Sequence, residues 1–136
     1  MITVQVVAPN YVYQIWDRIE PYFLAAEVYG VNDCTTSQLK LQLVSGAQTL
    51  LVAVSEEGIT GAAAIAVTSL PNHRVAVINA AGGAGITNPE VLPQVETWAK
   101  AQGATKLRVW AKDAQARLYK QKLGLEPVST VMEKLL

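Results

Sequence analysis

The sequence predicts one mixed α/β domain over residues 1–136, with helices covering both faces of a sheet. The predicted element order is β-α-α-β-β-β-α-β-α-β, so an antiparallel meander precedes a βαβ unit. The central strands are apolar on both faces, as expected for a sheet between helices. Hydrophobic residues make up 51% of the chain and charged residues 16%, which excludes a disordered protein.

The first strand is predicted at residues 2–7, where apolar and polar side chains alternate. Pro9 ends it, and Asn10 is expected to cap a helix whose apolar residues recur at helical spacing: Val12, Ile15, Trp16 and Ile19. Pro21 either kinks this helix or begins a second one. A loop follows over residues 30–35.

A second helical segment begins at Thr35, which forms a potential capping box with Gln38, and ends at Gly46. Three strands then follow, at residues 49–54, 59–69 and 74–80. They are separated by short polar turns, which predicts an antiparallel meander.

The second half begins with a glycine-rich segment at residues 81–85, after which Asn88 and Pro89 are expected to open a helix. Its regular part is expected nearer Glu90, because Pro93 is tolerated only in a first turn. Its buried stripe is predicted to hold Val91, Leu92, Val95, Trp98 and Ala99. A strand at 106–110 and a final strand at 128–135 flank the last helix. The three tryptophans, Trp16, Trp98 and Trp110, are expected in the core.

The last helix is the most informative segment of the chain. Asp113 can accept hydrogen bonds from the N–H groups of its first turn, and Gly124 stands where a left-handed residue ends a helix. Pro127 prevents any continuation. The segment reads Ala116, Leu118-Tyr119, three polar residues, then Leu123-Gly124-Leu125.

This pattern resembles the last helix of the GNAT acetyltransferases: an alanine, a spacer, Leu-Tyr, polar residues, then Leu-Gly-Phe. The predicted element order is similar to the GNAT fold along essentially the whole chain. The resemblance implies that strands 74–80 and 106–110 splay apart and that acetyl-CoA lies in the gap. It implies a phenol at Tyr119 that protonates the departing thiolate; the alternative is a tyrosine packed by its ring alone.

The resemblance also implies that the loop after the fourth strand holds the cofactor. Small residues and a helix N-terminus suit a phosphate, whereas the alternative is a simple turn. Ala80 stands where the family has Gln or Arg. The candidate cofactor-binding residues are Ala80, Ala81, Gly82, Gly83, Ala84 and Gly85.

Two functions follow, and the sequence leaves open whether the protein is an enzyme. One is an N-acetyltransferase that transfers the acetyl group of acetyl-CoA to an unknown amine. Glu27, Asp33 and Asp113 are candidate bases, and each can equally be a surface charge. The alternative is a non-catalytic binding or assembly protein, because compact chains of this kind resemble degenerate GNAT-like proteins of bacteriophages, some of them virion-associated.

Composition limits the partners. The net charge is zero, so no nucleic-acid partner is predicted, and self-association as a homo-oligomer or with an assembly partner is expected instead. No membrane span and no signal peptide are predicted, which favours the cytoplasm, of a host if the chain is phage-encoded, or a virion. Cys34 is the only cysteine and His73 the only histidine, so no metal site is predicted.

Overall fold

The computed structural model describes residues 1–28, 30, 33–85 and 87–136, and part of the predicted 30–35 loop therefore lies outside the described residues. A five-stranded mixed sheet forms the centre, with its strands side by side in chain order. β1 to β4 are antiparallel and β5 is parallel to β4. The strands are β1 (Thr3–Val7), β2 (Thr49–Ser55), β3 (Gly58–Ser69), β4 (Arg74–Gly83) and β5 (Lys106–Val109).

Four helices cover the two faces: α1 (Val12–Glu27), α2 (Thr36–Ser45), α3 (Leu92–Ala101) and α4 (Asp113–Leu123). Side chains alternate across each strand, so neighbouring strand residues belong to different cores. Leu50 and Val52 of β2 pack with α1 and α2, whereas Leu51 and Ala53 pack with α3. This arrangement confirms the predicted fold class.

α1 runs through Pro21 as one helix, which settles the alternative between a kinked helix and two helices. The expectation that Asn10 caps this helix is wrong. Pro9 begins a 3₁₀ turn (Pro9–Tyr11) that holds Asn10 inside it, so that Tyr11 occupies the cap position without a side-chain cap.

The capping box of α2 is confirmed. The backbone N–H of Gln38 donates to Thr35 Oγ1 at 3.2 Å, and the N–H of Thr35 donates to Gln38 Oε1 at 2.8 Å. The carboxylate of Glu27, at the end of α1, accepts a hydrogen bond from the N–H of Thr36. Gly46 ends α2 with a φ of 82°, as the sequence predicts.

β4 contains a bulge at Asn79. Ile65 pairs with Ile78, but the next pair is Ala64 with Ala80, so Asn79 is an extra residue. The bulge reverses the alternation: Ile78 faces α3, and Ala80, two residues on, faces α1 and α2.

Two predicted boundaries near this bulge are wrong. β4 extends to Gly83 rather than residue 80, because Ala81, Gly82 and Gly83 still pair with β3. α3 begins at Leu92 rather than at Asn88-Pro89. Asn88 instead forms a turn, in which its side chain accepts from the N–H of Glu90 at 2.8 Å and its C=O from that of Val91 at 3.0 Å.

The chain end differs from the prediction as well. Gly124 ends α4 with a φ of 68°, as expected, but Lys112 is the cap residue and Asp113 is the first residue of the helix. The strand predicted at 128–135 is not formed. Every residue of 126–136 is exposed and lies outside regular structure, because no neighbouring strand supplies its backbone with hydrogen bonds.

The free edge of β1 is closed by side chains from the first turn of α3 and from the segment before it. The N–H of Ile2 donates to Glu90 Oε2 at 2.9 Å, and the N–H of Val4 donates to Gln94 Oε1 at 2.9 Å. Gln94 Nε2 also donates to the C=O of Ile2 at 2.8 Å. These bonds replace part of the ladder that a sixth strand would make.

Candidate active site

The candidate site is the fork where β4 and β5 separate. The two strands pair in parallel from Val75 with Lys106 to Ile78 with Val109. Beyond that point β4 continues to Gly83, whereas β5 ends. The fork therefore opens at the Asn79 bulge, within the pair of strands for which the family resemblance implies a splay.

The fork leaves one side of the end of β4, residues 79–83, without a strand partner among the described residues. On that side, alternate residues direct N–H or C=O groups into the gap, because a strand bonds to each neighbour with every second residue. Trp110 follows β5 at the mouth of the fork. It is 53% exposed, so its predicted place in the core is wrong, whereas Trp16 is buried and Trp98 is half-buried.

Gly82 and Gly83 serve the packing of α1 and β3 on β4. A Cβ at Gly82 would overlap the backbone carbonyl of Tyr22, and one at Gly83 would overlap the carbonyl of Thr60. The Tyr22 side chain fixes this contact, since its hydroxyl donates to the C=O of Ile59 at 3.0 Å. Close approach of α1 therefore explains Gly82, whereas Gly83 is explained by its close approach to β3 at Thr60 and by its φ of 75°.

Gly85 differs from these two glycines. The nearest heavy atom to a Cβ placed there would be 3.6 Å away, so the space beside Gly85 is open. In the segment between β4 and α3, the N–H groups of Gly85, Thr87 and Leu92 have no acceptor among the described residues. These three donors, with the N-terminus of α3, are what this segment can present to a phosphate.

Basic side chains are absent from the described residues between Ala80 and Trp98, whereas Glu90 and Glu96 lie there. Positive charge comes instead from β5 and α4, at Arg108, Lys112 and Arg117. A phosphate held here would rely on backbone donors and on charges from the far side of the fork.

Tyr119 lies on the face of the sheet that α3 covers. Its half-buried side chain packs against the apolar cluster that contains Ile78 and Val95, together with Leu123 one turn further along α4. Burial raises the pKa of its phenol above the ordinary value of 10.0, so the phenol keeps its proton at neutral pH.

The connection between α1 and α2 holds the other titratable groups that sequence analysis singled out. Burial raises the pKa of the Cys34 thiol, and the carboxylates of Glu27 and Asp33 raise it further. The thiol therefore stays protonated and is a weak nucleophile. Glu27 and Asp33 are exposed, and so is Asp113 at the start of α4.

His73 lies at the opposite end of the sheet from the fork, where its Nδ1 is 2.9 Å from Thr105 Oγ1. No group of three potential metal ligands occurs among the described residues. None of the described helices has the length and apolar character needed to cross a bilayer.

Two cavities border the sheet, and the smaller one reaches the fork at Ala81. One of about 20 Å³ is apolar and lies under Ala84 and Gly85, which leaves no room for a nucleotide. Another of about 250 Å³ lies on the β1 side of the sheet, between Pro9, Gln48 and Trp98. The fork is the better candidate because it combines free backbone groups with the tyrosine that the sequence indicates.

Sequence reasoning did not identify Asn79, Tyr22 or Gln94. The bulge leaves one signal, since Asn79 is a polar residue within an otherwise apolar run from Val75 to Ala81. Tyr22 and Gln94 act through contacts with residues 37 or more positions away, and no local pattern marks such contacts.

No family model and no curated protein matches the sequence. Solved structures do match. An aminoglycoside acetyltransferase from an uncultured soil metagenomic sample has a TM-score of 0.72 at 18% identity, over 100% of this chain and 99% of that one. A second soil metagenomic aminoglycoside acetyltransferase, in complex with sisomicin, has a TM-score of 0.70 at 14% identity, over 99% and 96%.

A predicted acetyltransferase from Clostridium acetobutylicum, solved with acetyl-CoA, has a TM-score of 0.66 at 17% identity, over 99% of this chain and 96% of that one. These matches give no support to the phage or virion expectation. The matches cover nearly the whole chain, so they apply to the complete sheet and its helices. The chain therefore has the GNAT acyltransferase fold.

Proposed function

We propose that this protein is an acetyl-CoA-dependent N-acetyltransferase. The observation that carries the proposal is the fork after Ile78 and Val109, which frees the backbone of residues 79–83 on the sheet that Tyr119 packs against. The similarity in fold to acetyltransferases favours an enzyme over the assembly protein that the sequence left as the alternative.

The residues around the fork fit the cofactor in part. The small side chains of Ala80 and Ala81 leave β4 accessible beside the gap, and Gly85 leaves open space next to it. The free N–H groups of Gly85, Thr87 and Leu92 are suitable donors for a pyrophosphate. Within the proposed set from Ala80 to Gly85, Gly82 and Gly83 would act indirectly, by holding β4 against α1 and β3.

In the proposed reaction, a backbone N–H of β4 and the phenol of Tyr119 have separate roles. Acetyl-CoA, when bound, supplies a thioester with an activated acetyl group. A backbone N–H of β4 beyond the bulge would polarise the thioester carbonyl while the neutral form of an amine attacks it. The proton that the amine nitrogen loses would pass to water as the C–S bond breaks. Tyr119 would donate its proton to the departing thiolate, and its raised pKa ensures that the proton is present at neutral pH.

The acceptor is proposed to be an amine, and its identity is a matter for experiment. Glu27 ends α1, and its carboxylate and that of Asp33 both lie close enough to Cys34 to raise its pKa, so this connection would favour a cationic amine. Sisomicin, an amine-rich compound bound by one structural neighbour, is therefore a reasonable member of a first substrate panel.

Binding is the first test. We expect isothermal titration calorimetry of the purified protein with acetyl-CoA to show saturable heat, and acetyl-CoA to raise the melting temperature. Desulfo-CoA, which retains the pyrophosphate, should also bind. Absence of both heat and thermal shift at millimolar acetyl-CoA would contradict the enzyme proposal and favour the assembly alternative.

The second test concerns Tyr119. With a panel of amines that includes sisomicin, release of free CoA measures turnover. Tyr119→Phe should lower kcat roughly 100-fold while acetyl-CoA affinity stays within about twofold, because only proton transfer is lost. Tyr11→Phe, on the exposed surface of the 3₁₀ turn, is the matched control and should leave turnover unchanged. Equal turnover in both variants would remove Tyr119 from the mechanism.

A further inference from the structure

The smaller cavity lies between α3 and the sheet and reaches the fork. Its volume is about 20 Å³, and the described side chains that line it are all aliphatic. It reaches the fork at Ala81, in the stretch of β4 past Ile78 where no described strand pairs with its outer side. Tyr119 packs against the same face of the sheet. A group bound at the fork therefore has an apolar space beside it.

The sheet side of this cavity is built largely from alanines. Ala53 of β2, Ala63 of β3 and Ala81 of β4 belong to the apolar cluster under α3, and Ala63 is the direct cross-strand neighbour of Ala81. Val91 and Val95 line the cavity from the side of α3 and do not fill the space that these methyl groups leave. Because protein interiors hold few such spaces, the position of this one beside the fork is informative.

The lining of the cavity limits what can occupy it. No hydroxyl, amide or charged side chain lines it among the described residues, so a water molecule inside would lack side-chain partners. A water needs roughly 10–15 Å³ of space measured in this way, and a methyl group is slightly larger. The cavity therefore has room for about one carbon atom beyond a group that already lies at the fork.

A propionyl group meets both conditions, since it is one methylene longer than acetyl and equally apolar at its end. This inference rests on the proposed function, because it requires a thioester at the fork, where the backbone of β4 beyond the bulge would hold the carbonyl. Ala81 lies within that stretch of β4. We propose that the cavity is an acyl-chain subsite and that propionyl-CoA is a donor that binds more tightly than acetyl-CoA.

Calorimetry of the native protein with a series of acyl-CoA thioesters, with no amine present, tests the subsite apart from turnover. Propionyl-CoA should have a dissociation constant about fourfold lower than acetyl-CoA, because one more methylene is buried. Hexanoyl-CoA is too long for the cavity and should bind at least about fivefold more weakly than propionyl-CoA. Affinity that does not rise from acetyl to propionyl, or that still rises at hexanoyl, would overturn the proposal.

Ala63→Val tests the location of the subsite. The added methyl groups enter the cavity from the β3 side, so the preference for propionyl-CoA over acetyl-CoA should disappear. Ala66→Val is the matched control, since it makes the same change in the same strand at a half-buried position outside the lining, and its fourfold preference should remain. Equal preferences in the two variants would contradict this location.

Val91→Ala makes the opposite change and adds no bulk to the core. It enlarges the cavity, so the tightest ligand should shift from propionyl-CoA to butyryl-CoA. Circular dichroism and thermal melting establish that each variant is folded. If Ala63→Val does not fold, Val91→Ala and the native series still decide the question. A tightest ligand that remains propionyl-CoA in Val91→Ala would count against the subsite.

The results for acetyl-CoA and propionyl-CoA separate this inference from the proposed function. Saturable binding of acetyl-CoA without a preference for propionyl-CoA would overturn the subsite and leave acetyl transfer in place. Absence of heat with both thioesters would overturn the subsite and the proposed function together. A fourfold preference that is lost in Ala63→Val and kept in Ala66→Val would support both.

Discussion

The two halves of this sheet are completed in opposite ways. In the closed half, β1 to β4 are backed by α1, α2 and α3, and side chains of Glu90 and Gln94 cap the outer strand. In the open half, β5 has four residues, α4 has no fully buried residue and the tail is exposed. The closed half supplies the rigid frame, and the open half leaves backbone free for ligands or for another chain.

The largest effect is expected where the closed half meets the fork. Gly82→Ala would drive a methyl group into the Tyr22 backbone, which cannot move without displacing α1 from β4. We expect a loss of about 3 kcal/mol in the free energy of unfolding, measured by urea denaturation. Gly85→Ala is the control and should change stability by less than about 0.5 kcal/mol, because its surroundings are open. Similar losses for both would show that the fork is not held by α1.

A smaller effect is expected at the closed edge. Gln94→Ala leaves the N–H of Val4 and the C=O of Ile2 without their partners and should cost about 1–2 kcal/mol. The amide of Val4 should also exchange with deuterium faster. Gln121→Ala, on an exposed position of α4 in the open half, should cost less than about 0.5 kcal/mol. If the two variants lose equal stability, the contrast between the halves is wrong.

The smallest effect concerns alkaline pH and the packing of α4. Burial raises the pKa of Tyr119 in the folded state above its unfolded value, so its contribution to stability is present below pH 10.0 and is lost as pH rises through the folded pKa. The native protein should therefore lose more stability than Tyr119→Phe between about pH 9 and pH 11. If the stability of the two proteins changes equally with pH, the phenol of Tyr119 is not buried between α4 and the sheet.

Much of the fold was predictable because it follows from local periodicity. The Thr35–Gln38 capping box, the stop at Gly124 and the antiparallel meander depend on residues close in sequence, and the structure confirms them. The order of elements then leaves few possible topologies. Local sequence patterns were therefore sufficient to predict most of the architecture.

The candidate site was less predictable because it depends on distant contacts. The glycine-rich segment suggests a phosphate loop, but Gly82 and Gly83 lie within β4 and face Tyr22 and Thr60. The strand expected at 128–135 has the right alternation and lacks a neighbour in the single chain. The role of Tyr119 remains a prediction, since its place on the sheet is known and its chemistry is untested.

Because Asn79 is an extra residue in β4, the number of residues at this point determines which side of the sheet the following residues face, whereas the identity of residue 79 does not. Asn79 is exposed and its side chain amide donates to Gln48 Oε1, so exchange for another polar residue changes little in the core. Deleting it would instead reverse the face of every residue from Ala80 to Gly83, and Gly82 would no longer lie beneath Tyr22. This strand should accordingly tolerate substitution at position 79 across related sequences, while insertions and deletions there should be rare.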